Sequence, residues 1–144
     1  MINITLHKEV KRLYQPKIKD FTKWVTSSLQ SSFLQVNLDI LIVNSARSLY
    51  FNQKYRNKPH PTNVISLEYK ESRIKFNILS GELILCDDVI IDEAGTQQKT
   101  IFAHYAHMVV HGVLHMQGFD HQNDTEADIM ESCEENILRS LSLL

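Results

Sequence analysis

The chain has 144 residues, of which 43% are hydrophobic and 22% are charged, and its formal net charge is −2. These values are ordinary for a globular protein. No run approaches the roughly 20 apolar residues that span a bilayer, and the charged N-terminus does not suit a signal peptide. We therefore expect a single domain over residues 1–144, in the cytoplasm and without a membrane partner.

The first half of the chain predicts two strands and two helices. A helix after Pro16 is indicated by the helical spacing of Ile18, Phe21 and Val25. Asn44 or Ser45 can cap a second helix. In chain order the expected elements are a strand at 2–6, a helix within 17–33, a strand at 36–43, a helix at 44–56 and a proline-rich loop at 58–63.

The second half predicts two strands and then a run of helices. Gly95 is a natural stop for a short helix, and Asn123, Asp124 or Thr125 can cap the last one. The expected elements are strands at 64–69 and 81–86, a connector between them, and helices at 87–95, 97–117 and 123–144. We therefore predict an α+β fold with one mixed sheet of about four strands and about five helices.

The charges are distributed unevenly along the chain. Residues 1–75 contain 13 Lys and Arg against 5 Asp and Glu, whereas residues 76–144 contain 2 against 12. A positive face of this kind can attract a polyanion such as RNA. Solvated helix faces would produce the same counts, and the overall pI is not high. Charge alone therefore leaves nucleic-acid binding open.

Residues 107–121, "HMVVHGVLHMQGFDH", contain four of the seven histidines of the chain. His111 and His115 are four residues apart, so on a helix both rings can reach one ion. Gly118 can end the helix in a left-handed conformation and return the chain, so that His121 approaches the same ion. Three imidazoles with an open fourth position are typical of a catalytic zinc site. The alternative is a helix whose histidines are packed or solvated separately.

The spacing H-x-x-x-H-x-x-G-x-x-H matches that of metzincin proteases, except that Gly112 occupies the position of their general-base glutamate. Without that base, peptide hydrolysis by the same route is disfavoured. Asp120, in the turn, could orient a ligand or act on water. Gly112 could let a phosphodiester approach closely, or it could serve a tight helix–strand contact, and the sequence favours neither.

Three segments together resemble the YbeY family of bacterial zinc-dependent endoribonucleases, which act in rRNA maturation. They are "AHMVVHGVLHMQGFDH", "LYFNQKYRNKPHPTNVISL" and "SGELILC". The family pattern reads roughly H-G-x-L-H-L-x-G-Y-D-H in the first and R-x-K-D-x-P-T-D/N-V in the second. The similarity covers most of residues 44–135 in order. The chain departs from the pattern at four positions: His60 and Glu82 replace Asp, Met116 replaces Leu, and Phe119 replaces Tyr.

The resemblance implies roles for individual residues. One Zn²⁺ ion would be bound by His111, His115 and His121, with His111 also counted in the catalytic centre. Arg56 falls on the functionally important arginine of the family, and a guanidinium there can hold a phosphate and stabilise transition-state charge. His107 is not a family ligand, and we expect it to donate to a group that supports one of the ligands or to lie in the core.

The resemblance also implies a function. It is single-strand-specific cleavage of RNA during maturation of the 3′ end of 16S rRNA and ribosome quality control, with the small ribosomal subunit as partner and no role for DNA. The general base stays open between water on the metal, Asp120 and the 2′-OH of the substrate. Two other functions are considered, namely a metallopeptidase-like hydrolase and a non-catalytic assembly factor that zinc stabilises.

Overall fold

A computed structural model describes the whole chain, residues 1–144. The strands are β1 (Ile2–Lys8), β2 (Gln35–Val43), β3 (Val64–Glu68) and β4 (Ile78–Cys86). The helices are α1 (Ile18–Ser28), α2 (Ser45–Arg56), α3 (Lys70–Phe76), α4 (Asp87–Thr96), α5 (Ile101–Met116) and α6 (Asp124–Ser140). None of the six helices combines the length and the apolar character that a membrane crossing requires.

The four strands form one mixed sheet in the order β1-β2-β4-β3. β1 and β4 both run parallel to β2, and β3 is antiparallel to β4 at the edge of the sheet. Helix α5 crosses this edge, where the Ser66 hydroxyl donates to the carbonyl of Gly112 over 3.0 Å. The edge strand therefore lies directly under the helix that carries the histidine motif.

Successive side chains of each strand point to opposite faces of the sheet, and the two faces are buried in different environments. On β2, Val36, Leu38, Ile40 and Ile42 join the large core beneath α1 and α5. On the opposite face, Val43, Ile65 and Ile84 form a small cluster with Phe51 of α2 packed against it. Each fully buried aliphatic side chain contributes roughly 1.5–3 kcal/mol, so the larger face dominates the stability of the fold.

Helix α5 begins and ends with local structure that the sequence encodes. The Thr100 hydroxyl accepts from the amide of Ala103 over 3.0 Å, a cap typically worth about 1 kcal/mol. Gly118 adopts φ +100° just after the last turn, a conformation that favours glycine. The helix therefore stops where the sequence predicts, and the chain turns back toward it.

The predicted α+β class, with one mixed sheet of four strands and about five helices, is confirmed, and the structure has six helices. The segment between β3 and β4, for which the sequence predicts a connector, forms α3, and β4 begins at Ile78 rather than at residue 81. No residue of α3 is buried. A helix that packs no apolar face on the core leaves no apolar periodicity in the sequence, which is the reason it was missed.

Candidate metal centre and cleft

The structure brings His111, His115 and His121 together. One ring nitrogen from each lies within 4.8 Å of the other two. The Nε2 atoms of His111 and His115, one turn apart on α5, are 3.1 Å apart. The ring centroid of His121 is 5.0 Å from that of His115 and 5.8 Å from that of His111. Three convergent imidazoles could hold one metal ion and leave a position open.

A tight turn after α5 places His121 beside the other two rings. The amide of Gly118 donates to His115 O, and the amide of Phe119 donates to Leu114 O. Phe119 packs against the core, which anchors the turn. The Asp120 Oδ1 atom accepts from the amide of His121 over 2.7 Å. The carboxylate of Asp120 therefore stabilises the backbone of the turn rather than binding one of the imidazole rings.

A buried carboxylate on α6 orients the first ligand. Oε2 of Glu134 is 2.6 Å from Nδ1 of His111, and Oε1 is 2.8 Å from Nε2 of His107. Burial alone would raise the pKa of Glu134, but these hydrogen bonds outweigh it and lower the pKa to about 2. The group is therefore an ionised acceptor at neutral pH. His111 then carries its proton on Nδ1 and turns Nε2 toward His115.

The same environment keeps His115 in the form that can bind a cation. Burial lowers its pKa, and the neighbouring rings of His111 and His121 lower it further. A metal ligand must be a neutral imidazole. The clustering of three rings on a half-buried surface therefore favours the ligand form of His115 at neutral pH.

The three histidines line one end of a cleft of about 530 Å³, and Arg56 lies in the same lining. Arg56 is the last residue of α2, and its Nη1 atom donates to Val64 O of β3 over 3.3 Å. No carboxylate lies within salt-bridge distance of its guanidinium. A solvent-exposed cation therefore faces the same space as the three imidazoles, which is an arrangement suited to a phosphate diester.

The family model described as "Endoribonuclease YbeY" matches residues 3–142. The chain belongs to the YbeY family. An endoribonuclease YbeY from Stenotrophomonas maltophilia is 36% identical over 147 aligned positions, which cover 99% of this chain and 91% of that protein. The solution structure of TM1509 from Thermotoga maritima superposes with a TM-score of 0.54 at 19% identity, covering 99% and 92% of the two chains, and supports the fold alone. The family resemblance read from the sequence is thus confirmed.

Glu134 is the residue of this YbeY-family site that sequence reasoning missed. It lies in an acidic helix, where a glutamate is expected to face solvent. The position of Glu134 within the helix nevertheless indicates that it is buried. Glu134 follows Met130 by four residues and precedes Leu138 by four, and both neighbours are buried. A carboxylate in the middle of the apolar face of an amphipathic helix indicates a buried partner.

Behind Glu134, polar contacts continue through the YbeY-family core. The Lys99 ammonium lies 2.9 Å from Nδ1 of His107 and 3.2 Å from Nδ1 of His104. Nε2 of His104 is 2.8 Å from Oε1 of Glu93. Burial lowers the pKa of Lys99 and of His104. The structure thus places His107 between Lys99 and Glu134, where it supports the carboxylate that orients His111.

The two interpretations of Gly112 can now be separated. A Cβ atom at this position would lie 2.6 Å from Cδ2 of Leu83, 3.0 Å from Oγ of Ser66 and 3.3 Å from Cγ2 of Val64. These contacts all belong to the sheet beneath α5. Gly112 therefore serves a tight helix–strand contact, and it is buried and does not belong to the lining of the cleft that a phosphodiester would enter.

At His60, where the YbeY pattern usually has Asp, the ring contacts only the carbonyl of its neighbour Pro61, over 3.0 Å. The backbone carbonyl of His60 accepts from Nδ2 of the buried Asn52 over 2.8 Å. The loop conformation thus depends on the backbone of this position. His60 itself is exposed and does not belong to the lining of the cleft.

Proposed function

We propose that this protein is a single-strand-specific, zinc-dependent endoribonuclease that matures the 3′ end of 16S rRNA and takes part in ribosome quality control. Membership of the YbeY family supports the coarser assignment, a hydrolase of the endoribonuclease type. The finer assignment includes the small ribosomal subunit as partner, no role for DNA, and action in the cytoplasm. The two free cysteines, Cys86 and Cys133, are in keeping with a reducing compartment.

The proposed metal ligands are His111, His115 and His121, which would hold a single Zn²⁺ ion. Their fit rests on the convergence of three ring nitrogens and on the hydrogen bond that commits Nδ1 of His111 to Glu134. Zinc bound by three histidines acts as a Lewis acid toward a phosphoryl oxygen and lowers the pKa of water. Nitrogen ligands in this number suit zinc, although nickel or iron accept the same donors.

The residues of the chain supply binding and charge stabilisation. Arg56 would hold the scissile phosphate through paired hydrogen bonds and stabilise the charge that develops in the transition state. The observation that carries the proposal is that Arg56 and the three imidazoles line one cleft. Positioning a phosphate between a cation and a metal centre is the main requirement for catalysing its transfer.

Asp120, next to the proposed ligand His121, is a candidate for moving a proton. Oδ1 of Asp120 is committed to the amide of His121, while Oδ2 makes no hydrogen bond within the protein. Asp120 could therefore take a proton from water. The alternative nucleophile is the 2′-OH of the substrate. A 5′-phosphate on the products would support attack by water, and a 2′,3′-cyclic phosphate would support attack by the 2′-OH.

The test is to incubate the zinc-loaded protein with an rRNA fragment that contains single-stranded and paired regions, and separately with casein. We expect cuts confined to the single-stranded regions and abolished by His115→Ala. Metal analysis of both proteins should show one zinc per chain only in the unsubstituted one. Digestion of casein with intact RNA would overturn the proposal in favour of a peptidase.

A further inference from the structure

Helix α2 has the reverse of the usual distribution of side chains. The residues it buries are the polar Ser48 and Asn52. Ser48 exchanges hydrogen bonds with the backbone of Thr62, and Asn52 donates to the carbonyl of His60. The inner face of α2 is therefore used to shape the loop that precedes β3. Its large side chains are left for the outer face, where they do not contribute to the main core.

The outer face of α2 carries a cation–aromatic stripe, which we define as Arg47, Tyr50, Phe51, Lys54 and Tyr55. These residues recur every three or four positions, so they form one continuous row on the helix. Tyr50 is 49% exposed and Tyr55 is 45% exposed. Phe51 is the ring that is anchored, because it packs against the small cluster of Val43, Ile65 and Ile84 on the sheet. The stripe is thus fixed at its centre and open to solvent on both sides.

Two cations and three rings are interspersed within the stripe and contact one another. The Arg47 guanidinium lies 4.7 Å from the Phe51 centroid and 5.4 Å from the Tyr50 centroid. The Lys54 ammonium lies 5.2 Å from the Tyr55 centroid and 5.8 Å from the Tyr50 centroid. Phe51 and Tyr55 stack with their ring planes only 12° apart. These contacts restrict the rings before any ligand arrives, which reduces the entropy lost on binding.

The charges around the stripe favour a polyanion. Arg56 and Lys58 continue the positive charge at its C-terminal end. One acidic side chain contacts the stripe directly, since Glu9 forms a bidentate pair with Arg47. Asp39 and Glu82 line a small hollow beside Phe51 and Tyr55 on the sheet side. A phosphate backbone would therefore follow the helix on its cationic side and avoid the exposed surface of the sheet.

The stripe also leads to the candidate active site. Tyr55 lines the same cleft as Arg56 and the histidines. From Tyr50 to Tyr55 the helix advances about 7.5 Å, so the stripe begins outside the cleft and ends inside it. Aromatic rings interspersed with cations on a surface suit single-stranded nucleic acid, whose bases stack on rings while its phosphates meet the cations.

We infer that the cation–aromatic stripe of α2 is a docking surface for the single-stranded RNA that flanks the scissile phosphate, and that Tyr50 and Tyr55 stack on its bases. This inference rests on the proposed function, because it assigns the stripe to the substrate of that reaction. The inference concerns only the binding of RNA, whereas the proposed function also includes its cleavage. A duplex, whose bases are already stacked and paired, gains nothing from the rings and keeps only the electrostatic contribution.

The experiment measures binding of short 2′-O-methyl RNA, single-stranded and duplex, to the zinc-loaded full chain by fluorescence anisotropy. Tyr50→Ala should weaken single-strand binding by roughly five- to tenfold, while Tyr50→Phe keeps it near the original value. Duplex binding should change by less than about twofold. Lys54→Gln should weaken both and lower the slope of log affinity against log salt by about one. Circular dichroism melts confirm that the variants are folded.

The matched control is Phe76→Ala, which removes an aromatic side chain that is 61% exposed at the end of α3, outside the stripe. It should leave single-strand binding unchanged. Unaltered binding by Tyr50→Ala, or an equal loss by Phe76→Ala, would overturn the inference, as would equal loss of single-strand and duplex binding. A chain whose RNA binding depends on Tyr50 but which cleaves no RNA would retain this inference and lose the proposed function. If the chain cleaved RNA and Tyr50→Ala left both binding and cleavage unchanged, the proposed function would be retained and this inference would be lost.

Discussion

The Glu134 carboxylate of α6 reaches across to α5 and holds Nδ1 of His111 at 2.6 Å. The second oxygen of the same carboxylate holds His107 at 2.8 Å. Two histidines one turn apart are thereby tied to a single acceptor on a different helix. The orientation of the first proposed ligand consequently depends on how α6 docks, and not only on the helix that carries the histidine motif.

Glu134→Gln should weaken zinc binding by about 10- to 100-fold, because an amide cannot accept from both His107 and His111. The affinity can be measured by competition with a chromophoric chelator, and nitrogen NMR of the His111 ring reports the loss of the fixed tautomer. Glu135→Gln is the matched control, since Glu135 is the exposed neighbour on the same helix. Zinc affinity within about twofold of the original for Glu134→Gln would show that His111 is oriented by other means.

Arg56→Ala should leave folding and zinc content intact and lower RNA cleavage by roughly 100- to 1,000-fold, the scale on which one charge-stabilising donor matters. Arg56 is exposed and its one hydrogen bond goes to Val64 O, so the free energy of unfolding should change by no more than about 0.5 kcal/mol. Arg139→Ala, an exposed arginine at the end of α6, is the control.

The same Arg56→Ala variant separates the proposed enzyme from a non-catalytic assembly factor. Cells that depend on the variant should accumulate rRNA with unprocessed 3′ ends, which can be measured by mapping those ends. If the variant supported normal processing in cells while failing to cleave RNA in solution, the chain would act in ribosome assembly without catalysing cleavage.

Overpacking by Gly112→Ala should lower the free energy of unfolding by about 1–3 kcal/mol. The better helix propensity of alanine should offset up to about 1 kcal/mol of this loss. The new methyl would lie 2.6 Å from Cδ2 of Leu83, which is completely buried, so the Leu83 side chain would have to shift. Urea unfolding measures the change. Gly95→Ala in α4 is the control, because nothing lies within 4 Å of a Cβ there. It should be neutral or stabilising, and a loss at Gly112 no larger than at Gly95 would contradict the close helix–strand contact.

Acidification should destabilise the metal-free protein partly through His104. Burial lowers the pKa of His104 in the folded state, while in the unfolded chain it stays near 6.5. Above about pH 6.5 the contribution of His104 to stability is complete. As pH falls toward the lower folded pKa this contribution is lost, because the unfolded chain binds the proton first.

The measurement is urea unfolding in the presence of EDTA at about pH 7.5 and about pH 5.5. His104→Gln should unfold more easily at both, but its free energy of unfolding should fall less between them than that of the unsubstituted protein. His7→Gln removes an exposed histidine of β1 and should leave the decline as it was. An equal decline in the His104 variant would assign the acid sensitivity to other groups.

The sequence predicted those elements whose side chains alternate or repeat against a core. β2 is predicted to within one residue, and the end of α5 likewise, because Val36, Leu38 and Ile40, like Val109 and Val113, face one buried side. The start of α5 is predicted at residue 97 but lies at Ile101, after its cap Thr100. The convergence of His121 with His111 and His115 was also predictable, because Gly118 marks where the helix ends.

What the sequence concealed was structure without an apolar pattern and partners distant in the chain. Helix α3 buries nothing and so left no periodicity. Glu134 contacts His111 from 23 residues away, and its charge made it resemble the solvated glutamates around it. The residues of the stripe on α2 can be read from the sequence, but their outward orientation cannot. It follows from the inward orientation of Ser48 and Asn52, which is opposite to the usual preference of polar side chains.

His111 and His115 stand on a helix embedded in the core, whereas His121 stands on an exposed turn beyond Gly118. The position of His121 therefore depends on Phe119 in the core and on the hydrogen bond to Asp120, and not on the helix itself. A substitution that releases either contact should displace one imidazole and leave the other two in place, so the site would offer an ion two nitrogen donors instead of three.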